Sequence, residues 1–484
     1  MLPEHHICER ARLSRDPRFD GAFFVGVLTT GIYCRPVCPA RLPAADNVRF
    51  YASAASAEEA GYRACRRCLP ERAARVPEWQ IGSRAVIRAL RLIDGGFLER
   101  GDSAGLAAEL GVTPRHLNRL FQQELGTTPK GVAMSRRRAL AKRLIDDTDL
   151  PFAAVAMQAG YGSLRRFNEE MLGAFGRSPR ALRAARRRRP SPATGFALRL
   201  PVRRPYDAAW VFEFLQRRAL AGFEEVAGLR YRRRVPGADG AAAWVEVSWT
   251  GDALCLEVPG ACAEPLAELL PRVRRVFDLD AEPGTIADGL ARDPLLAPVV
   301  AAHPGLRVPG AWDGFETAVR AILGQQVSVD RATVLARRLL EQFGEDALAN
   351  PLRLAGANVA AVGMPGRRGE AIRQLATAVA DGRLDLHDGA DPELLLDGLC
   401  RLPGIGPWTA GYVAMRVAKD PDAYPANDWV VAKMLEQATS AGEARAAAAG
   451  RPGSRADAWR PWRAYAVMYL WKWSQQQRAL AREA

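Results

Sequence analysis

Leu399-Cys400-Arg401-Leu402-Pro403-Gly404-Ile405-Gly406-Pro407-Trp408-Thr409-Ala410 is the stretch on which the reading of this chain turns. Helical segments flank it, and Gly404 and Gly406 permit a tight hairpin turn between them. The first amide N–H groups of a helix have no partner within it, so such a turn can grip a phosphate. A glycine-containing helical turn with no ligand looks the same on paper. What separates the two is Asp428, downstream in Tyr424-Pro425-Ala426-Asn427-Asp428-Trp429-Val430.

Hairpin, Gly/Pro-rich loop and aspartate together resemble the helix-hairpin-helix DNA glycosylases. The resemblance is closest to the AlkA-type 3-methyladenine glycosylases and spans residues 195 to about 478. It includes Gly305-Leu306-Arg307-Val308-Pro309-Gly310, Phe315-Glu316, Val319-Arg320-Ala321-Ile322-Leu323-Gly324-Gln325-Gln326-Val327-Ser328, Trp462-Arg463, Tyr465-Ala466 and Trp471. It implies that Asp428 stabilises an oxocarbenium-like sugar after the damaged nucleotide leaves the stack. It further implies that Trp408, Tyr412 and Trp471 hold a cationic base on electron-rich faces, although ordinary aromatic core is an equal reading for each. Gly404 and Gly406 would contact DNA. Bifunctional relatives carry a lysine directly before the Thr-Ala of the hairpin. Here Trp408 stands there, which implies hydrolysis without strand cleavage. No cysteine follows Cys400, so the iron–sulfur cluster of some relatives has no ligands here. The position after Gly324-Gln325, where a wedge fills the gap left by the flipped base, is Gln326.

Moving toward the N-terminus, the charge changes. Residues 1–190 carry 33 Lys/Arg against 19 Asp/Glu, whereas residues 191–484 carry 35 of each. All of the net +14 therefore lies in the first 190 residues. A cationic surface attracts polyphosphate and releases its counterions. A compositional preference for arginine would raise the total but not place it on one side.

That basic part contains two helix-turn-helix patterns in tandem. The first is Leu106 to Phe121, with Gly111 at the turn, Thr113 as N-cap and Pro114 at the first helical position. The second is Phe152 to Phe167, capped by Ser163. Gly126-Thr127-Thr128-Pro129 closes the first and Gly176-Arg177-Ser178-Pro179 the second. A lone pattern of this kind is more often a helical hairpin, but two in a basic region resemble the DNA-binding domain of AraC-type regulators. The resemblance implies base-edge contacts from Arg115 and Asn118 and, in the second motif, Arg165. Asn168-Glu169-Glu170-Met171 departs from the basic residues usual there.

Four of the eight cysteines cluster as Cys34-x-x-x-Cys38 and Cys65-x-x-Cys68, separated by 26 residues. Two short pairs joined by a loop can meet at one tetrahedral ion, and thiolates select zinc or an iron–sulfur cluster. Spacing alone favours a structural zinc site. The flanking residues alter that: Arg15 to Gly21, Thr29 to Cys38, Asn47 to Tyr51 and Ala60 to Cys68 resemble the methyl-phosphotriester acceptor domain of the Ada family. The resemblance implies one Zn2+ held by Cys34, Cys38, Cys65 and Cys68, with Cys34 accepting a methyl group. Losing one negative charge on methylation would improve DNA binding, so transfer can act as a damage signal. A small buried thiol is the expectation for Cys8, Cys255, Cys262 and Cys400. The Pro-Cys-His-Arg motif of the guanine-methyl acceptor is absent.

The expected fold is multidomain and predominantly α with α+β parts. It comprises a small zinc-bound domain (1–76), an all-α tandem helix-turn-helix domain (80–186), a basic linker (187–194), an α+β domain like the AlkA N-terminal domain (195–300) and an all-α helix-hairpin-helix glycosylase domain (301–478). Alternation in Trp244–Trp249 and Leu254–Val258 around Thr250-Gly251-Asp252 predicts two strands of a hairpin. Expected partners are double-stranded DNA with alkylated bases or methylated phosphates, promoter DNA and RNA polymerase, with no membrane. The chain is expected to act as a monomer. No run of 18 apolar residues and no signal-peptide layout occurs, which places it in the cytoplasm. The rival reading is a DNA-binding transcription regulator with a structural zinc and a non-catalytic glycosylase fold.

Overall fold

Small polar caps and glycines set where the helices begin and end. A computed structural model describes residues 2–73, 81–185, 195–238, 240–387, 389–437, 450–451 and 453–483. The linker expected at 187–194 lies outside the described residues. The chain folds as two compact units, one made of Met1–Val202 with Arg232–Pro271 and the other of Arg203–Tyr231 with Arg272–Ala484. Among the described residues no helix is long and apolar enough to cross a membrane.

The first unit begins with a sheet whose strands run in the order Val48–Tyr51, Phe24–Val27, Ile32–Cys34, Arg63–Ala64. The first three are antiparallel and the last is parallel to Ile32–Cys34. Side chains alternate across a strand. Val25 therefore joins Cys8, Phe23 and Val48 on one face, and Phe24 and Tyr33 join Ala57 on the other. Fully burying each large side chain of these clusters contributes roughly 1.5–3 kcal/mol. Burial also pushes the Cys8 thiol up to about 12, as an inert core thiol requires.

The helical part of this unit follows the tandem pattern. Thr113 accepts the N–H of His116 at 3.2 Å to start helix Pro114–Leu125, and Ser163 accepts that of Arg166 at 3.3 Å to start Leu164–Phe175. Both helices end on a left-handed glycine, Gly126 or Gly176. Thr128 then caps the long helix Pro129–Asp147, and Ser178 caps Pro179–Ala184. Leu106, Leu117, Phe121 and Val86 close the first core. Farther on, Phe196–Pro201, Ala253–Val258 and Ala242–Trp249 pair antiparallel, with Trp249 opposite Leu254 as the predicted hairpin requires.

The second unit is mainly helical and is pinned by buried polar groups. Arg307, fully buried, donates to the carbonyls of Ala281, Arg203 and Pro205. Asp278 receives the Lys419 ammonium at 2.7 Å and the Tyr465 hydroxyl at 3.0 Å. Helix Pro392–Cys400 corrects one expectation. Its buried stripe is Leu395 and Leu399, four residues apart, so the next residue, Cys400, turns outward and is exposed. Cys255 and Cys262 are half-buried.

Candidate functional site

Asp428 is held between the hairpin and the last helix. Helices Pro392–Cys400 and Pro407–Arg416 flank the turn, where Gly404 is left-handed (φ 84°) and Gly406 is exposed. The second hairpin helix carries Gly411, where a Cβ would lie 2.2 Å from the carbonyl oxygen of Tyr424. Only glycine lets the acid-bearing loop pass this close. The loop turns through left-handed Asn427 (φ 62°), and Asp428 then caps helix Trp429–Glu436 by accepting the N–H of Val431 at 2.9 Å.

The carboxylate is 5 % exposed yet fully supplied with donors. Its Oδ2 accepts the Trp408 indole N–H at 2.8 Å, and its Oδ1 accepts that of Trp471 at 3.1 Å. Trp408 stacks on Tyr412 with centroids 5.5 Å apart and planes 12° from parallel, and Tyr412 lies 6.3 Å from Trp471. The structure thus gathers Asp428, Trp408, Tyr412 and Trp471 into one cluster. No lysine stands at the hairpin position, where the indole of Trp408 faces the carboxylate. Trp429, the residue after the acid, is 63 % exposed beside Lys433 and Arg478. Burial, then the charge of Asp428, pushes the Tyr424 phenol well up.

Gln326 stands exposed in the left-handed region (φ 55°), a conformation that is strained for a residue with a side chain. Its neighbour fixes it there. The Gln325 amide donates to the carbonyl of Gly404 and the hydroxyl of Thr409, both at 3.0 Å, while Arg368 donates to the Gln325 carbonyl at 2.5 Å. Gln325 and Arg368 thus tie the tip to the hairpin turn. Sequence reasoning gave neither a role, although Gln325 stood inside the quoted motif.

In the first unit, the sulfurs of Cys34, Cys38, Cys65 and Cys68 all lie within 4.8 Å of one another, and none is in a disulfide. Four free sulfurs this close fit a tetrahedral Zn2+ with bonds of about 2.3 Å. Cys38, Cys65 and Cys68 are buried, and Cys34 is the half-buried member. Hydrogen bonds among the sulfurs hold Cys34 far above and Cys65 far below the ordinary thiol range. Four thiols so placed share protons unless a cation lets all of them ionise. Arg66 and Arg67 stay exposed beside the site. Arg35 is turned inward onto Asp20 and the Cys68 carbonyl.

Arg115 and Asn118 are exposed near the start of their recognition helix. Arg165 is exposed as well but pairs with Glu169 at 2.9 Å, and Arg166 pairs with Glu170 at 3.0 Å. The acidic departure seen in the sequence therefore engages the arginines of the second helix.

Three domain families match the chain: the metal binding domain of Ada over residues 7–71, a helix-turn-helix domain over 106–185 and the AlkA N-terminal domain over 197–313. The chain is 41% identical over 488 residues to the probable bifunctional transcriptional activator/DNA repair enzyme AlkA of Mycobacterium tuberculosis, covering 97% of each protein. It is 33% identical to DNA-3-methyladenine glycosylase 2 of Escherichia coli, over 55% of this chain and 94% of that protein. With the bifunctional transcriptional activator/DNA repair enzyme Ada of the same organism it shares 42% identity over 24% of this chain and 32% of that protein.

Proposed function

Because the chain belongs to the family of bifunctional transcriptional activators and DNA repair enzymes of the AlkA type, we propose that it excises alkylated bases such as 3-methyladenine from duplex DNA and accepts methyl groups from damaged DNA phosphates. The observation that carries the first activity is the carboxylate of Asp428, buried and oriented by the indoles of Trp408 and Trp471. An N-alkylated purine is cationic, so its glycosidic bond is already weakened. The exposed turn at Gly404 and Gly406 binds the phosphate backbone, and Gln326 fills the stack as the damaged nucleotide rotates out. Trp408, Tyr412 and Trp471 receive the base. As the bond between base and sugar breaks, its electron pair leaves with the base, and Asp428 stabilises the positive sugar until water adds. With tryptophan in place of lysine at the hairpin, no Schiff base forms and the strand stays intact.

In the first unit, Cys34 is the methyl acceptor, because it is the first cysteine of the first pair, the acceptor position in the Ada family that this domain matches. A bound Zn2+ keeps the sulfurs anionic at neutral pH. The Cys34 sulfur bonds to the methyl carbon as the carbon–oxygen bond to the phosphate breaks, which leaves a phosphodiester anion. Arg66 and Arg67 attract the backbone. Arg115 and Asn118 read promoter DNA, with Arg165 freed for contact only when Glu169 releases it, and RNA polymerase is the further partner of the activator. The domain boundaries read from the sequence, cytoplasmic location and action as a monomer belong to the same proposal.

The test uses the full chain on methylated duplex DNA. Free 3-methyladenine should appear in solution, and the strand should break only when alkali is added afterwards. Immediate strand breakage, or no base release, would refute the reaction assigned. The rival, a regulator with a retired glycosylase fold, predicts DNA binding with no released base.

A further inference from the structure

Two guanidinium groups lie beneath the aromatic cluster with no carboxylate to match them. Arg416 is buried, and it donates to the Tyr412 phenol oxygen at 2.7 Å, to the Pro309 carbonyl at 2.7 Å and to the Gly310 carbonyl at 2.9 Å. Arg218 donates to the Phe214 carbonyl at 3.2 Å, and its charge also acts on the Tyr412 phenol. Both cations stack on the Phe214 ring, at 3.7 Å for Arg218 and 5.0 Å for Arg416. Among the described residues neither arginine has an ion-pair partner. The nearby acids are engaged elsewhere: Glu224 and Glu316 by Arg320, and Glu213 by Lys472. Asp428 is tied to the two indoles.

This arrangement conflicts with a pocket for a cationic base. Two positive charges next to Tyr412, Arg416 buried and Arg218 half-buried, would repel a positively charged purine stacked above it. The phenol oxygen, moreover, only accepts: among the described residues its own proton meets no acceptor. A neutral phenol wastes that proton, whereas a phenolate pairs with the Arg416 donor and removes one unit of positive charge from the site. We propose that Tyr412 is a specificity residue that works as a phenolate, held by Arg416 and Arg218, and that its negative charge favours cationic over neutral bases. The proposal rests on the base-excision reading given above. Burial pushes the phenol up, but the charges of Arg416 and Arg218 and their hydrogen bonds outweigh it and bring Tyr412 down to about 8. The ionised form is thus within reach near neutral pH.

The test is a near-ultraviolet titration of the full-length protein, followed by base release over the same pH range. One equivalent of tyrosinate should form around pH 8 in the wild type, well before ordinary phenols titrate at about 10. It should be missing from Tyr412→Phe, and in Arg416→Gln it should move to higher pH. Release of 3-methyladenine should rise on the order of tenfold through that transition in the wild type and stay flat in Tyr412→Phe. Should Tyr412→Phe fail to fold, the wild-type titration and the shift in Arg416→Gln decide the matter alone. No tyrosinate before about pH 10 would overturn the proposal even if excision is efficient. An early tyrosinate in a protein that releases no base would instead overturn the excision reading and leave the ionisation standing.

Discussion

Trp408 donates its indole N–H to Oδ2 of Asp428 at 2.8 Å, so the hairpin helix directly orients the acid on the following loop. Trp471, from the last helix, holds the other oxygen at 3.1 Å together with the N–H of Val431. Asp428 only accepts in all three contacts, as an ionised carboxylate does. Its charge is thereby fixed in place before any sugar becomes positive, which is the condition for electrostatic stabilisation without reorganisation.

Removing either indole N–H should loosen that charge while leaving a ring behind. Trp408→Phe and Trp471→Phe are each expected to slow single-turnover release of 3-methyladenine by roughly ten- to a hundredfold. Because both donors hold one carboxylate, the double variant should lose less than the product of the two effects. Rates from the four proteins of this cycle test the point, and strict multiplication would mean that the indoles act independently of Asp428.

Gln326 pays for its position with backbone strain. Replacing it by glycine should relieve about 1–2 kcal/mol of left-handed strain against about 0.4–1 kcal/mol of added unfolded-chain entropy, a small net gain in denaturant titrations. The same change removes the side chain proposed to fill the stack, so base release should fall on the order of tenfold. A variant that gains stability and keeps full activity would show that Gln326 is no wedge.

The cysteine site combines acceptor and ligands. Cys34→Ala should abolish transfer of labelled methyl from phosphotriester DNA, because the proposed accepting sulfur is gone. Cys68→Ala should also lose metal, since a buried ligand is missing and zinc binding is coupled to folding here. Removing the metal with a chelator should expose the apolar clusters around Phe23 and around Tyr33 to solvent. Methyl transfer that persists in Cys34→Ala would move the acceptor to another sulfur.

The two recognition helices should differ. Asn118→Ala is expected to weaken promoter binding by about 1–3 kcal/mol and relax preference at one base pair. Arg165→Ala should change it far less, because Arg165 is already paired with Glu169. Duplex titrations at fixed salt measure both, and equal losses would contradict the assignment.

The parts legible beforehand were those that local chemistry dictates. Thr113 and Ser163 announce helix starts through their own hydroxyls, and both cap as expected. Cysteine spacing announces a four-sulfur site because ligand geometry is short-range. The meeting of Asp428 with Trp408 could be expected only through resemblance, since it depends on Gly411 admitting the loop. The bracing of Gln325 by Gly404, Thr409 and Arg368 and the charges under Tyr412 were not legible at all. Those contacts join residues distant along the chain, and nothing in the local pattern of Arg218 or Arg416 says what lies above them. Cys400 misled because an apolar neighbourhood in sequence does not say which side of a helix is covered.

The most direct measurement is single-turnover release of 3-methyladenine from methylated duplex DNA by wild type and by Asp428→Asn. Asparagine keeps the size of the side chain and an oxygen for the Val431 cap, so the variant should fold and bind DNA as before. Its rate of release is expected to fall by a factor of about a hundred or more. Equal release by the two proteins would contradict the account.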